Sequence, residues 1–259
     1  MFSYIGKICQ YGQWTCNPYI CPVSLSQISA HMKNLLLIAS VIIVTCGVVR
    51  AQESETRNVG PFSGVKVTEG IDVYLKKGDK ESVRVEVEGT SLDNIITEVS
   101  GSYLKVHMRD GRYRGKIQAK VYATYVNVDK LSASSAGSIF SEGTIEANDM
   151  EISASSAGSI EITVNARSVD VSASSAGEIE LQGKTTSLDI ETSSAGQIDA
   201  YDLEAQKVSA EASSAGSIKL TVVEDLRAHA SSGGSIRYHG NPNKSMTNST
   251  SGGSVKKSN

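Results

Sequence analysis

Two sets of acidic residues recur at matched positions in the second half of this 259-residue chain: Glu151, Asp170 and Asp189, and Glu161, Glu180 and Asp199. Carboxylates in such a pattern could do two kinds of chemistry. They could hold a divalent cation, because calcium takes several carboxylate oxygens. They could also cleave a polysaccharide, given a carboxylate pair, or acids with a basic residue, set in a groove. The glycine-paired nonapeptide that marks calcium-binding β-helices is absent. The acids also follow the repeat of the chain, whereas a catalytic cluster usually breaks it, and no long insertion is present to build groove walls. His107, His229 and His239 sit at strand or turn positions with no paired motif. The acids are therefore read as a solvated face, partly offset by Lys130, Lys219, Arg227 and Arg237. No catalytic residue, metal ligand or cofactor is assigned, and a polysaccharide-acting enzyme is kept as the rival reading.

Sugar binding by stacking would need an aromatic platform. The repetitive half offers only Phe140, Tyr201 and Tyr238, which look dispersed. The preceding region is richer, with Tyr74, Tyr103, Tyr113, Tyr122 and Tyr125. Tyrosine on strands is commonly half-buried packing, yet a partner surface is to be sought there before the repeats. Serine ladders (Ser132/Ser134, Ser153/Ser155, Ser172/Ser174) could form a hydroxyl array, but Glu191, Glu211 and His229 interrupt the column.

The elements that position these residues follow from an internal repeat. Ser134-Ser135-Ala136-Gly137-Ser138-Ile139 returns with glycines at Gly137, Gly158, Gly177, Gly196, Gly216, Gly234 and Gly253, at gaps of 21, 19, 19, 20, 18 and 19 residues. Around each glycine the apolar residues alternate. Two residues after it stand Ile139, Ile160, Ile179, Ile198, Ile218, Ile236 and Val255; six before it stand Leu131, Ile152, Val171, Ile190, Ala210, Ala228 and Thr247. A period of two means strands with one buried face. One coil of about 19 residues cannot bury that face alone, so coils stack at about 4.8 Å and like residues form columns. This predicts an all-β fold: a right-handed parallel β-helix of seven coils over residues 128–257, right-handed by the usual crossover preference. The glycines are read as turn residues that supply either a positive φ or a close backbone approach.

Residues 52–127 alternate too (Val65, Val67, Ile71, Val73, Leu75; Val83, Val85, Val87; Leu104, Val106, Met108) but lack the repeat, and a helical turn is expected at 92–96. They are expected to form an irregular β-domain that covers one open end of the solenoid. The polar stretch after Asn241, with Lys256 and Lys257, is expected to close the other.

Upstream, Met32-Lys33-Asn34, the apolar run Leu35–Val44 and Val49-Arg50-Ala51 before polar Gln52 make a secretory signal peptide over 32–51. The run is shorter than the roughly 20 apolar residues of a membrane span. Residues 1–31 then read as an extension from an earlier methionine. All four cysteines (Cys9, Cys16, Cys21, Cys46) and Trp14 precede Gln52, so the mature chain holds no disulfide and no thiolate. It keeps 22 basic against 28 acidic residues, a net charge of −6, which argues against nucleic acid or anionic lipid as a partner.

Phe62-Ser63-Gly64-Val65-Lys66-Val67, Gly70-Ile71-Asp72-Val73, Val85-Glu86-Val87-Glu88-Gly89 and Gly101-Ser102-Tyr103-Leu104-Lys105-Val106, followed by the Ser-Ala-Gly-Ser-Ile repeats and Tyr238-His239-Gly240-Asn241-Pro242, resemble a bacterial family, the "putative auto-transporter adhesin, head GIN domain". The resemblance spans about residues 58–257 and implies an exported β-helical protein; it brings no catalytic residues. The expected function is a non-enzymatic, extracytoplasmic binding protein with a glycan or protein ligand at the cell surface, or a ligand-free envelope component. N-terminal sequencing of exported protein should begin near Gln52, whereas fatty-acid labelling of Cys46 would establish a lipoprotein instead.

Overall fold

Alternating apolar residues leave one face of each strand in need of cover, and the chain supplies it by stacking strand on strand. The computed structural model describes residues 53–113 and 115–258. The expected extension over 1–31, the signal peptide over 32–51 and Cys46 lie outside the described residues. The chain forms β1 (Glu53–Arg57), β2 (Gly64–Val67), β3 (Asp72–Lys77), β4 (Ser82–Glu88), β5 (Ile95–Ser100), β6 (Tyr103–Met108), β7 (Gln118–Tyr125) and β8 (Lys130–Ala133). Long bent strands follow: β9 (Ser138–Ala154), β10 (Ser159–Ala173), β11 (Glu178–Thr192), β12 (Gln197–Ala212) and β13 (Ser217–Ala230). Three short ones close the chain: β14 (Ser235–His239), β15 (Lys244–Ser249) and β16 (Ser254–Lys257). The helical turn expected near residue 92 is a single 3-10 turn, Leu92–Asn94, with the Ser91 hydroxyl accepting from the Asp93 N–H.

The fold is an all-β solenoid of about seven turns. From β9 onward each long strand runs parallel to the next, and the columns are those the repeat dictates. Ile139, Ile160, Ile179, Ile198, Ile218, Ile236 and Val255 are successive partners. The six isoleucines are at most 2% exposed, and each such side chain contributes about 1.5–3 kcal/mol on burial. Thr192 takes an alanine position in the neighbouring column, where its Oγ1 is buried without a hydrogen-bond partner among the described residues.

The region expected to be irregular contributes coils of its own, laid down out of chain order. β2 and β3 form a coil that pairs in parallel with β8 and β9 on one side, Val65 facing Leu131 and Val73 facing Ile139. On its other side it pairs in parallel with β6 and β7, Val65 facing Leu104 and Val73 facing Val121. The buried core accordingly runs through residue 127 without interruption. Covering falls to antiparallel strands: β4 on β7, β1 on β4, and β5 on β6. At the far end the inward columns turn polar, with Ser245, Thr247 and Ser249 continuing Leu226, Ala228 and Ala230. β15 is exposed throughout. Apart from exposed Met246, that edge carries Lys, Ser, Thr and Asn, which offer little to a further strand.

The repeated turn is where the structure refines the reading of the glycines. In Ser134-Ser135-Ala136-Gly137 the Gly137 N–H donates to the Ser134 carbonyl at 3.0 Å, while Ser135 and Ala136 carry φ of 51° and 62°. This is a type I′ turn, with both central residues left-handed. The positive φ thus belongs to Ser and Ala, which pay of order 1–2 kcal/mol each for it. A bond to the next coil offsets part of that cost: the Ala136 N–H donates to Ser156 O at 3.1 Å, Ala157 to Ser175 and Ala176 to Ser194 likewise. The glycine is needed for contact instead. A Cβ at Gly177 would lie 2.4 Å from the Ala154 carbonyl oxygen in the coil before it.

Gly177→Val must therefore push two backbones apart in mid-stack. A loss on the order of 3 kcal/mol is expected, with pairing to both neighbouring coils weakened. Gly253 is equally crowded, at 2.3 Å from Ala230 O, but belongs to the terminal coil, which can fray alone. Gly253→Val should cost about 1 kcal/mol or less. Thermal melts of the two variants check this; equal losses would contradict it.

Candidate functional site

Stacking turns sequence positions into columns, so outward chemistry is set by which residues share a column. On one face a column runs Arg84, Tyr122, Tyr74, Phe140, Glu161, Glu180, Asp199, Lys219, Arg237, Lys256. Aromatic, acidic and basic stretches thus follow one another along the rod. Phe140, which looked isolated in the sequence, joins Tyr74 and Tyr122 in a ladder. Tyr74 stacks on both at 5.2 Å between ring centres, tilted by 20° and 22°. The Arg84 guanidinium covers the far side of Tyr122 at 4.3 Å. Rings stacked in this way spend their faces on one another, so the ladder strengthens the early coils and offers a sugar mostly edges. Of the other tyrosines, Tyr125 is buried and Tyr113 closes a loop by donating to the Arg109 carbonyl. Tyr201 stacks on His239 at 4.1 Å.

On the second face the acids Glu151, Asp170 and Asp189 share a column as expected. Beside it runs Ser132, Ser153, Ser172, Glu191, Glu211, His229. Glu151 is neutralised by Lys130, Nζ to Oε2 at 2.8 Å, and this bond raises the lysine's pKa. Asp189 has no such partner among the described residues; partial burial pushes its carboxyl up, and Asp170, Glu211 and Glu191 add to the rise. In the first column Asp199 holds Lys219 at 2.7 Å. No group of three or more His, Cys, Asp or Glu among the described residues is arranged to hold a metal ion. The three histidines stay apart in role. His107 lies against the Met108 carbonyl, His229 follows Glu211 in its column, and His239 lies under Tyr201.

Outward lysines, an aromatic ring and hydroxyls converge nearer the antiparallel end of this second face. Its columns begin Tyr103, Gly64, Lys130, Glu151 and Lys105, Lys66, Ser132, Ser153. They enclose a hollow of about 260 Å3 lined by Lys66, Tyr103, Lys105, Lys130, Ser132 and Glu151. Gly64 makes it possible: a Cβ there would stand 2.6 Å from Tyr103 Cδ1, so the ring lies down over bare backbone. Lys66 and Lys105 are direct partners in the ladder, and like charges so placed repel. Lys105 donates to Ser100 Oγ at 3.1 Å and faces Glu98 across the β5–β6 pair. Lys66 is exposed and forms no ion pair among the described residues. Sequence reasoning singled out Tyr103 but missed these lysines as a group. The matching Val65-Lys66-Val67 and Leu104-Lys105-Val106 segments were the available signal.

The raised carboxyl of Asp189 fixes a sign for pH dependence. The folded state binds the proton more tightly than the unfolded one, so stability falls as pH rises from the unfolded carboxylate range through the folded value. Asp189→Asn should then stabilise the protein at pH 7, by a few tenths of a kcal/mol given its exposure, and make no difference near pH 3. Melting curves at the two pH values check this.

No curated protein matches the chain. A crystal structure of "a putative adhesin" from Bacteroides fragilis NCTC 9343 superposes with a TM-score of 0.73 at 18% identity, over 81% of this chain and 98% of that one. A "putative adhesin" from Parabacteroides merdae ATCC 43184 gives 0.69 at 15%, over 82% and 98%. A "putative lipid binding protein" from Parabacteroides distasonis ATCC 8503 gives 0.64 at 20%, over 80% and 97%. At these identities the likeness shows a shared fold. The family described as "putative auto-transporter adhesin, head GIN domain" matches residues 61–242, more than half of the sequence, and the chain belongs to that family.

Proposed function

We propose that this protein is exported and acts, without catalysis, as an adhesin-type surface-binding module. The observation that carries the reading is the outward column from Arg84 to Lys256, in which every member is held by strand pairing to its neighbours. A rod of this kind presents charge and aromatic groups in fixed order with little freedom left to lose on binding, which favours recognition of an extended partner. Membership of the adhesin family supports the same reading. Export is supported by the leader-like segment before Gln52, and no helix among the described residues is long and apolar enough to cross a membrane.

A second reading, an enzyme acting on polysaccharide, draws on Asp189, whose raised carboxyl lies beside Asp170. Two carboxyl groups on one outward face are the side chains that glycosidic cleavage uses. The two readings separate in one set of measurements. The exported chain should bind at least one member of an array of glycans and host matrix proteins, and release no product from a panel of uronic-acid polymers. Absence of binding anywhere on the array would count against adhesion. Product release that Asp189→Asn abolishes would establish the enzyme.

A further inference from the structure

We propose that the hollow formed by Lys66, Lys105, Lys130 and Tyr103 binds an acidic glycan, with a uronate carboxylate or a sulfate seated between Lys66 and Lys105. The inference rests on the surface-binding reading above and names its ligand class and site.

Three features carry it. First, Lys66 and Lys105 are stacked on adjacent strands. Such a pair repels, and no carboxylate among the described residues pairs with Lys66. An anion between the two ammonium groups would relieve that repulsion and accept charge-assisted hydrogen bonds from both. Second, Tyr103 lines the same hollow with its ring against the Gly64 backbone. Unlike the rings of the Tyr74 ladder it has no aromatic partner among the described residues, and it supplies an apolar wall for the body of a sugar. Third, the Ser132, Ser153, Ser172 column leads away from the lysines along the rod. It offers hydroxyl donors and acceptors at each coil-to-coil step of about 4.8 Å.

The surroundings favour a glycan strand over an anionic lipid surface. Glu151 stands at the rim of the hollow, and Asp170 and Asp189 continue its column. A flat anionic bilayer laid on this face would meet Glu151 two coil steps, about 10 Å, from the Lys66 coil, and Asp170 and Asp189 one and two steps beyond it. A single glycan chain can enter the cationic end and leave along the serines.

The test uses the exported protein with four probes: a sulfated heparin-type oligosaccharide, an oligogalacturonate, neutral maltohexaose, and phosphatidylglycerol vesicles. An acidic oligosaccharide should bind, more weakly as salt is raised, while maltohexaose and vesicles do not. Replacing both Lys66→Gln and Lys105→Gln should weaken acidic binding about ten-fold or more, as loss of charged hydrogen bonds does. Replacing Lys184→Gln and Lys207→Gln, which removes the same charge from exposed positions outside these columns, should leave it unchanged. The unliganded Lys66→Gln protein should melt no lower than the original, because a like-charge contact is removed; this separates loss of the site from loss of the fold. Acidic glycans that bind no better than maltohexaose, unchanged binding in the double variant, or binding to vesicles in place of glycans would each overturn the proposal. If the double variant keeps an array ligand that the original binds, the surface-binding reading stands and this site alone is wrong.

Discussion

At most of the tight turns the backbone of one level rests directly on the backbone of the level before it. The space where a Cβ would stand at Gly158, Gly177, Gly234 and Gly253 lies 2.3–2.4 Å from an alanine carbonyl oxygen. Nothing larger than hydrogen fits, and much of the rest of the structure accommodates that contact. It holds the turns of successive coils close enough for an N–H of one to reach a carbonyl of the next. That bond in turn helps two L-residues, Ser and Ala, remain in left-handed geometry at exposed positions. The column beside the turn is built mostly of small residues, Ala133, Ala154, Ala173, Ala212 and Ala230, with Thr192 at one level. Where the coil below has no such turn the restriction lapses. The position equivalent to glycine in the β2–β3 coil is Ile71, fully buried.

Because the turns must stay in register, variation in coil length is displaced to the sides. The pairing slips between Glu161 and Thr163, between Glu180 and Gln182, and between Ala200 and Glu204. These are bulges away from the tight turn, where an extra residue can loop outward at small cost. The two ends of the stack are also handled differently. Antiparallel strands close one, and a coil with serine and threonine at inward positions closes the other. The first solution buries the terminal apolar columns under new strands. The second ends them by changing side chains.

Function follows from how the same columns treat outward residues. A repeat that copies its core also copies its surface, which places acids over acids and serines over serines. Distinct chemistry therefore arises where the copying is imperfect, among the early coils that carry no Ser-Ala-Gly signature. There Gly64 leaves a gap, Tyr103 fills it, and two lysines meet without an intervening acid. This is the arrangement on which the proposed acidic-glycan site rests.

The parallel solenoid, its columns and the identity of its inward residues were legible in residues 128–257, since a period near 19 with internal alternation leaves stacked strands as the economical way to bury one face. The glycine positions were legible as well. Their reason was not, because positive φ and close approach leave the same residue in the sequence, and only the coil beneath distinguishes them. The early coils were hidden for a topological reason. β2 and β3 lie between segments that come later in the chain, so their partners are 39 to 66 residues away by register and no local period announces them. The Tyr74–Tyr122–Phe140 ladder and the Lys66–Lys105 pair depend on that insertion. Residue types and alternation determined that these side chains would point outward from strands; which of them would touch was decided by the order in which the coils stack.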